Sequence, residues 1–131
     1  MTNTTVRDTS VPRGTIRASA GEKVWVLINH IKADKRDAFE HFMQNILIPA
    51  AQKVAPDVYR HVRFLQPTEP NEDGTYTYIF LPDPVLPDAE YSIMELLKQA
   101  YPAEQVTEYM ERWKDSLASP QVGYEVIQTS W

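Results

Sequence analysis

Apolar positions along the chain fall into blocks of two different periods. Residues 23–31, KVWVLINHI, are β-branched and aromatic and stay apolar on both faces until Asn29 and His30, which predicts a strand covered on both sides. Phe39, Phe42, Met43, Ile46, Ala50 and Val54 then recur at helical spacing. That pattern predicts a helix N-capped by Asp34 and kinked or stopped near Pro49. Residues 58–65, VYRHVRFL, alternate as a second strand, QPTEPNEDG is a polar loop with an Asp-Gly turn, and residues 75–81, TYTYIFL, form a third strand. The prolines of PDPVLPD favour an extended path without regular structure. Residues 91–100 read as a short helix. Pro102 opens another, carrying Val106, Tyr109, Met110, Trp113 and Leu117 on one stripe. Residues 121–129, QVGYEVIQT, are the last strand.

The order β-α-β-β-α-β, with the second helical segment split in two, predicts an α+β, ferredoxin-like fold with a four-stranded antiparallel sheet ordered 4-1-3-2. Helices cover one sheet face. On strand 1, Val24, Val26 and Ile28 point to one side and Trp25, Leu27 and Ile31 to the other; on strand 3, Tyr76, Tyr78 and Phe80 oppose Ile79 and Leu81. Neither face suits water, so a two-fold homodimer packed through the helix-free sheet faces is expected. Residues 1–22 have few large apolar side chains and read as a flexible tail, with Val11 or Ile16 available for local docking; residues 23–131 form the single domain.

This element order, with the segment VWVLINHIKADKRDAFEHF, resembles the dimeric α+β barrel superfamily, which includes antibiotic-biosynthesis monooxygenase-like and stress-responsive barrel proteins. The resemblance implies a small-molecule-binding dimer: a cofactor-independent monooxygenase or isomerase acting on an aromatic or polyketide-like substrate, or a non-catalytic ligand-binding or stress-associated protein. Some haem-degrading members use an Asn on strand 1 with a Trp and a His elsewhere. Asn29 stands in that strand, but no His follows His61, so haem degradation is not expected.

Composition narrows the chemistry. The 131 residues contain no Cys, which removes disulfides, thiol catalysis and thiolate metal sites. Thirteen basic residues against 18 acidic ones leave a formal charge of −5, which disfavours nucleic acid as a partner. The chain has no membrane-spanning or secretory stretch, and a cytoplasmic protein is expected. Nor is there a dinucleotide-binding Gly motif or an HxH or HxxxH pair, so neither cofactor nor metal is expected.

Histidine is the natural base near neutral pH. With strands 1 and 3 taken to run one way and strand 2 the other, His30, His61 and the Pro82–Asp88 loop gather at one rim, the two rings roughly 9–10 Å apart. His30 and His61 are then the catalytic candidates. Asn29, Arg63, Tyr78 and Trp113 are candidates for binding the substrate, Arg63 as an anion contact. His41 falls off the apolar stripe and is expected in solvent.

Overall fold

A computed structural model describes residues 16–131. Strand β1 is Lys23–Ile31, β2 is Val62–Leu65, β3 is Tyr76–Pro82 and β4 is Val122–Ile127. They form one antiparallel sheet ordered β2-β3-β1-β4, the ferredoxin-like order.

After β1 a 3₁₀ turn, Ala33–Lys35, leads into α1, Arg36–Phe42. Asp34 sits inside that turn and makes no cap, so the expected N-cap is absent. Pro49 perturbs the helix as expected, by a specific route. It has no N–H to donate, and its ring crowds the carbonyl four residues back. The turn ahead of it widens into a π segment, Met43–Leu47, and the chain resumes as α2, Ile48–Val54.

Residues expected to begin strand 2 instead form a short helix, α3, Pro56–Tyr59. Pro56 favours that first turn, and β2 shrinks to four residues. The β2–β3 loop turns at Asp73-Gly74, where Gly74 takes φ +88°, a conformation that suits glycine. Helix α4, Ile93–Ala100, is N-capped by Ser92, whose Oγ accepts from Glu95 N. Helix α5 is Ala103–Ser116.

Ile31, Phe39, Phe42, Ile46, Tyr78, Phe80, Leu97 and Trp113 share one core. The odd-numbered residues of β1 and the even-numbered residues of β3 therefore face the helices. By strand alternation and register, the other face carries Val24, Val26, Ile28 and His30 from β1. It adds Thr77, Ile79 and Leu81 from β3 and Val122, Tyr124 and Val126 from β4. Among the described residues no helix covers it, and Tyr124 is 56% exposed and Val126 45%.

Ahead of β1, Ala18 is buried and its N–H donates to Asp83 Oδ1 at 2.7 Å; Val11 lies outside the described residues. Asp83, itself buried, also accepts from Arg63 Nη2 at 2.6 Å. Asp83→Ala should cost about 2–4 kcal/mol in urea unfolding, because it strands a backbone donor and a half-buried guanidinium. Asp83→Asn, which keeps the acceptor for Ala18, should cost less.

Candidate functional site

Strand directions decide where the predicted site residues go. Strand β3 is antiparallel to both β1 and β2, so β1 and β2 run the same way. The crossover through the first helical segment requires this, because it returns the chain to the starting end before β2 begins. The expected direction of strand 2 is thereby corrected, and so is the rim built on it. His30 pairs with Thr77 near the start of β3, whereas His61 O accepts from Asp83 N just beyond its end. Six residues of strand separate the two histidines, roughly 20 Å. The Pro82–Asp88 loop lies with His61, not with His30.

Each predicted residue has a definite local role. His61 Nδ1 donates to Asp57 O at 2.8 Å, which leaves Nε2 as the acceptor. His30 projects from the helix-free face, with Nδ1 3.2 Å from Thr77 Oγ1. Asn71 Nδ2 donates to that same hydroxyl at 2.8 Å. The hydroxyl proton can then go to His30 Nδ1, placing the ring proton on Nε2. An open depression of about 650 Å³ beside His30 is lined by Asn71, Asp73, Thr75 and Ser119. There Asp73 is held below the usual carboxylate range, first by the hydrogen bond from Thr75 and also by its nearness to His30.

Asn29 is fully buried on the helix face, where Nδ2 reaches Tyr78 O at 3.3 Å and Oδ1 accepts from Gln121 Nε2 at 2.8 Å. Its polar atoms are occupied by the fold. Arg63 is paired with Asp83, so the anion contact expected of it is filled from within the chain. Trp113 packs against Phe39, Phe42 and Phe80 in the core. His41 is exposed, as expected.

Tyr78 is the predicted residue that reaches a polar cluster. Its hydroxyl donates to Glu40 Oε2 on α1, in a short hydrogen bond. Glu40 also pairs with Arg36 Nε at 3.5 Å, and the Arg36 guanidinium lies 4.7 Å from the centre of the Tyr76 ring. Helical i,i+4 spacing sets Arg36 beside Glu40, and the strand's two-residue period sets Tyr76 and Tyr78 on the face they cover.

A cleft of about 160 Å³ opens at this cluster, lined by Phe39, Glu40, Met43, Ile48, Phe64 and Tyr78, with Gln44 and Gln66 among its other walls. Beyond the Phe64–Phe80 pair, whose ring centres are 5.2 Å apart, lies a smaller apolar cavity of about 60 Å³. Among the described residues no group of His, Asp and Glu is placed to hold a metal ion, and no helix is long and apolar enough to cross a membrane.

Burial, then the hydrogen bond to Glu40, pushes the Tyr78 phenol up to about 12. The phenol therefore stays protonated and acts as a donor at neutral pH. Its raised value also ties it to stability. The unfolded chain loses this proton near pH 10, so the Tyr78 contribution is intact below that and lost as pH rises toward 12. Tyr78→Phe should flatten the fall in stability over that window, read by urea unfolding at stepped alkaline pH. Tyrosinate absorbance of the folded protein should lose its latest-titrating component.

No family model matches the chain, and no curated protein matches it. A similar solved structure is an inferred antibiotic biosynthesis monooxygenase from Caulobacter crescentus, at 14% identity and TM-score 0.47, covering 85% of this chain and 92% of that one. At that level the likeness decides nothing further; the ferredoxin-like assignment stands on this chain's own strand order.

Proposed function

We propose that the protein binds a small aromatic molecule in the cleft between α1 and the sheet, with a ligand hydroxyl or enol directed at Glu40 and Tyr78. One observation carries this reading: a buried phenol hydrogen-bonded to a carboxylate on the wall of an otherwise largely apolar cleft. A dry cavity of roughly 150 Å³ takes up one benzene ring, so the cleft suits a single ring or the reacting end of a longer polycycle. Phe39, Met43, Ile48 and Phe64 supply the apolar walls. Glu40 supplies the proton acceptor and Tyr78 the donor, the pair that general acid–base chemistry on a phenol or enolisable carbon needs.

The finer reading is a cofactor-independent monooxygenase or isomerase, in which Glu40 takes the ligand proton and the Tyr78 hydroxyl, released from the carboxylate once that is protonated, turns its own proton to the oxyanion. Without turnover, the same cleft serves a ligand-binding protein. His30 and His61 stand outside the cleft, so neither is the base in this reading. We further propose that two copies pack through the helix-free sheet faces, which would enclose His30, Thr77 and the apolar side chains around them.

Phenol and benzene, titrated separately and followed by NMR, test the cleft. Phenol should bind with saturation and shift Phe39 and Tyr78 resonances. Glu40→Gln, which exchanges a charged acceptor for a neutral one, should weaken phenol roughly fivefold to tenfold while leaving benzene unchanged, since hydrogen bonds to charged groups are worth about 1.5–3 kcal/mol against about 0.5–1.5 for neutral ones. Equal loss of both ligands, or no effect on phenol, overturns the assignment.

A further inference from the structure

A second concave surface lies at the opposite end of β1. An open groove of about 490 Å³ runs between the start of that strand and the proline-rich loop. Trp25 and Tyr91 line it, their ring centres 5.1 Å apart and inclined at 59°. Glu22, Asp88 and Glu125 also border it, with Lys23 as the one basic residue among the described ones. Trp25 Nε1 donates to Glu125 Oε1 at 3.0 Å, which fixes the indole against the carboxylate. Leu86 N donates to Tyr91 Oη at 2.9 Å, which fixes the phenol. Lys23 offsets one of the three carboxylates, reaching Glu125 at 3.8 Å from an exposed position.

Tyr91 is shared between two spaces. It lines this groove and also the apolar cavity of about 60 Å³ behind it, where Leu27, Leu47, Ala51 and Leu96 stand and Glu90 is the one charged wall residue among those described. That cavity is about twice the ~30 Å³ share of one liquid water. It is too small for a ligand of its own and large enough for the end of a short alkyl chain.

We infer that the groove and the cavity are the two halves of one site for an alkylammonium ligand: the cationic head lies among Trp25, Tyr91, Glu22 and Asp88, the two carboxylates that Lys23 does not offset, and the tail passes the Tyr91 ring into the cavity. Aromatic faces attract ammonium groups through the ring quadrupole, and carboxylates at the rim select the sign of charge. An anionic or neutral ligand of the same shape would gain the tail contacts and lose the head. The groove shares no lining residue with the cleft of Tyr78 and Glu40, and the cavity shares with it Phe64 and Phe80 alone among the described residues, so the head-group assignment and the cleft reading can fail separately.

The test follows the Trp25 indole N–H by NMR while the full chain is titrated with tetramethylammonium, butyltrimethylammonium and, as the anionic counterpart, pentanoate. Both cations should shift that resonance with saturation, and pentanoate should bind at least tenfold more weakly than butyltrimethylammonium. The butyl compound should exceed the tetramethyl one by roughly fourfold for each methylene that the cavity accepts. Asp88→Asn should weaken both cations at least threefold. Ala51→Leu, which fills the cavity, should bring the two cations to equal affinity while leaving tetramethylammonium unchanged. The comparison of the three probes on the unaltered protein decides the matter even if Ala51→Leu does not fold. Absence of saturation with the cations, or pentanoate binding as tightly as the butyl cation, overturns the head-group assignment. Equal affinity of the two cations for the unaltered protein overturns the tail assignment.

Discussion

Phe39→Ala is expected to lower stability by about 3–5 kcal/mol, the range for removing a buried aromatic side chain. Phe39 is fully buried, with its ring 4.7 Å from Tyr78 and 5.9 Å from Trp113 between ring centres. Its place explains the size of the effect. Helix α1 reaches the sheet through this ring, and Trp113 brings α5 to the same point, so its removal opens a void that three elements must close. Urea unfolding followed by far-UV circular dichroism gives the loss directly, and Phe39→Leu should recover more than half of it. Because Phe39 also lines the cleft, the alanine variant should admit larger aromatic ligands than the unaltered protein does. A loss below 1 kcal/mol would show that the α1–sheet contact is not what holds the core.

The fold was legible where the apolar period was long and uninterrupted. β1 matches its expected bounds because the run from residue 23 to 31 is rich in β-branched and aromatic side chains and both edges find a neighbouring strand. The 4-1-3-2 order followed from chain order and crossover hand. Legibility failed at the ends. Residues 58–61 alternate as well as any strand, yet Pro56 starts a helical turn there and β2 is left with four residues. Asp34 has the chemistry of a cap, but the chain enters α1 through a 3₁₀ turn that places it one step too early.

The candidate site was less legible, for two separate reasons. One was a matter of direction. With the second strand reversed, His30 and His61 become neighbours; with it parallel to β1, they stand at opposite ends of the sheet. The other was the distance along the chain between partners. Tyr78 was visible as an aromatic residue in an alternating strand, but Glu40, 38 residues earlier, looks like a solvated charge on a helix. The usable signal was the Arg36–Glu40 pair, at the spacing that makes an ion pair on one helix face, facing two tyrosines at strand spacing. Arg63 misled for a related reason. Its partner Asp83 sits across the β2–β3 pair, where register rather than sequence proximity brings the charges together.

Ile79→Asp is expected to convert a dimer into a folded monomer. Ile79 pairs with Ile28 in register near the middle of the helix-free face. Val26, Leu81, Val122 and Tyr124 surround that pair by strand alternation. In one chain this face meets solvent, so a carboxylate there has water available and the core beneath it, on the other side of the sheet, is untouched. In the proposed dimer the same carboxylate is enclosed against an apolar surface, and two-fold symmetry brings two of them. Burying an unpaired charge costs several kcal/mol; even about 2 kcal/mol for each copy weakens association roughly a thousandfold. Sedimentation at micromolar concentration should give the mass of two chains for the unaltered protein and one for Ile79→Asp, with helical content retained. Ile28→Asp should act in the same way, whereas His41→Asp, on the exposed side of the helices, should leave the mass unchanged. If the unaltered protein sediments as one chain, the face is covered in some other way and the dimer is wrong. If Ile79→Asp unfolds rather than dissociates, the sheet depends on its partner for stability, and the two copies fold as one unit.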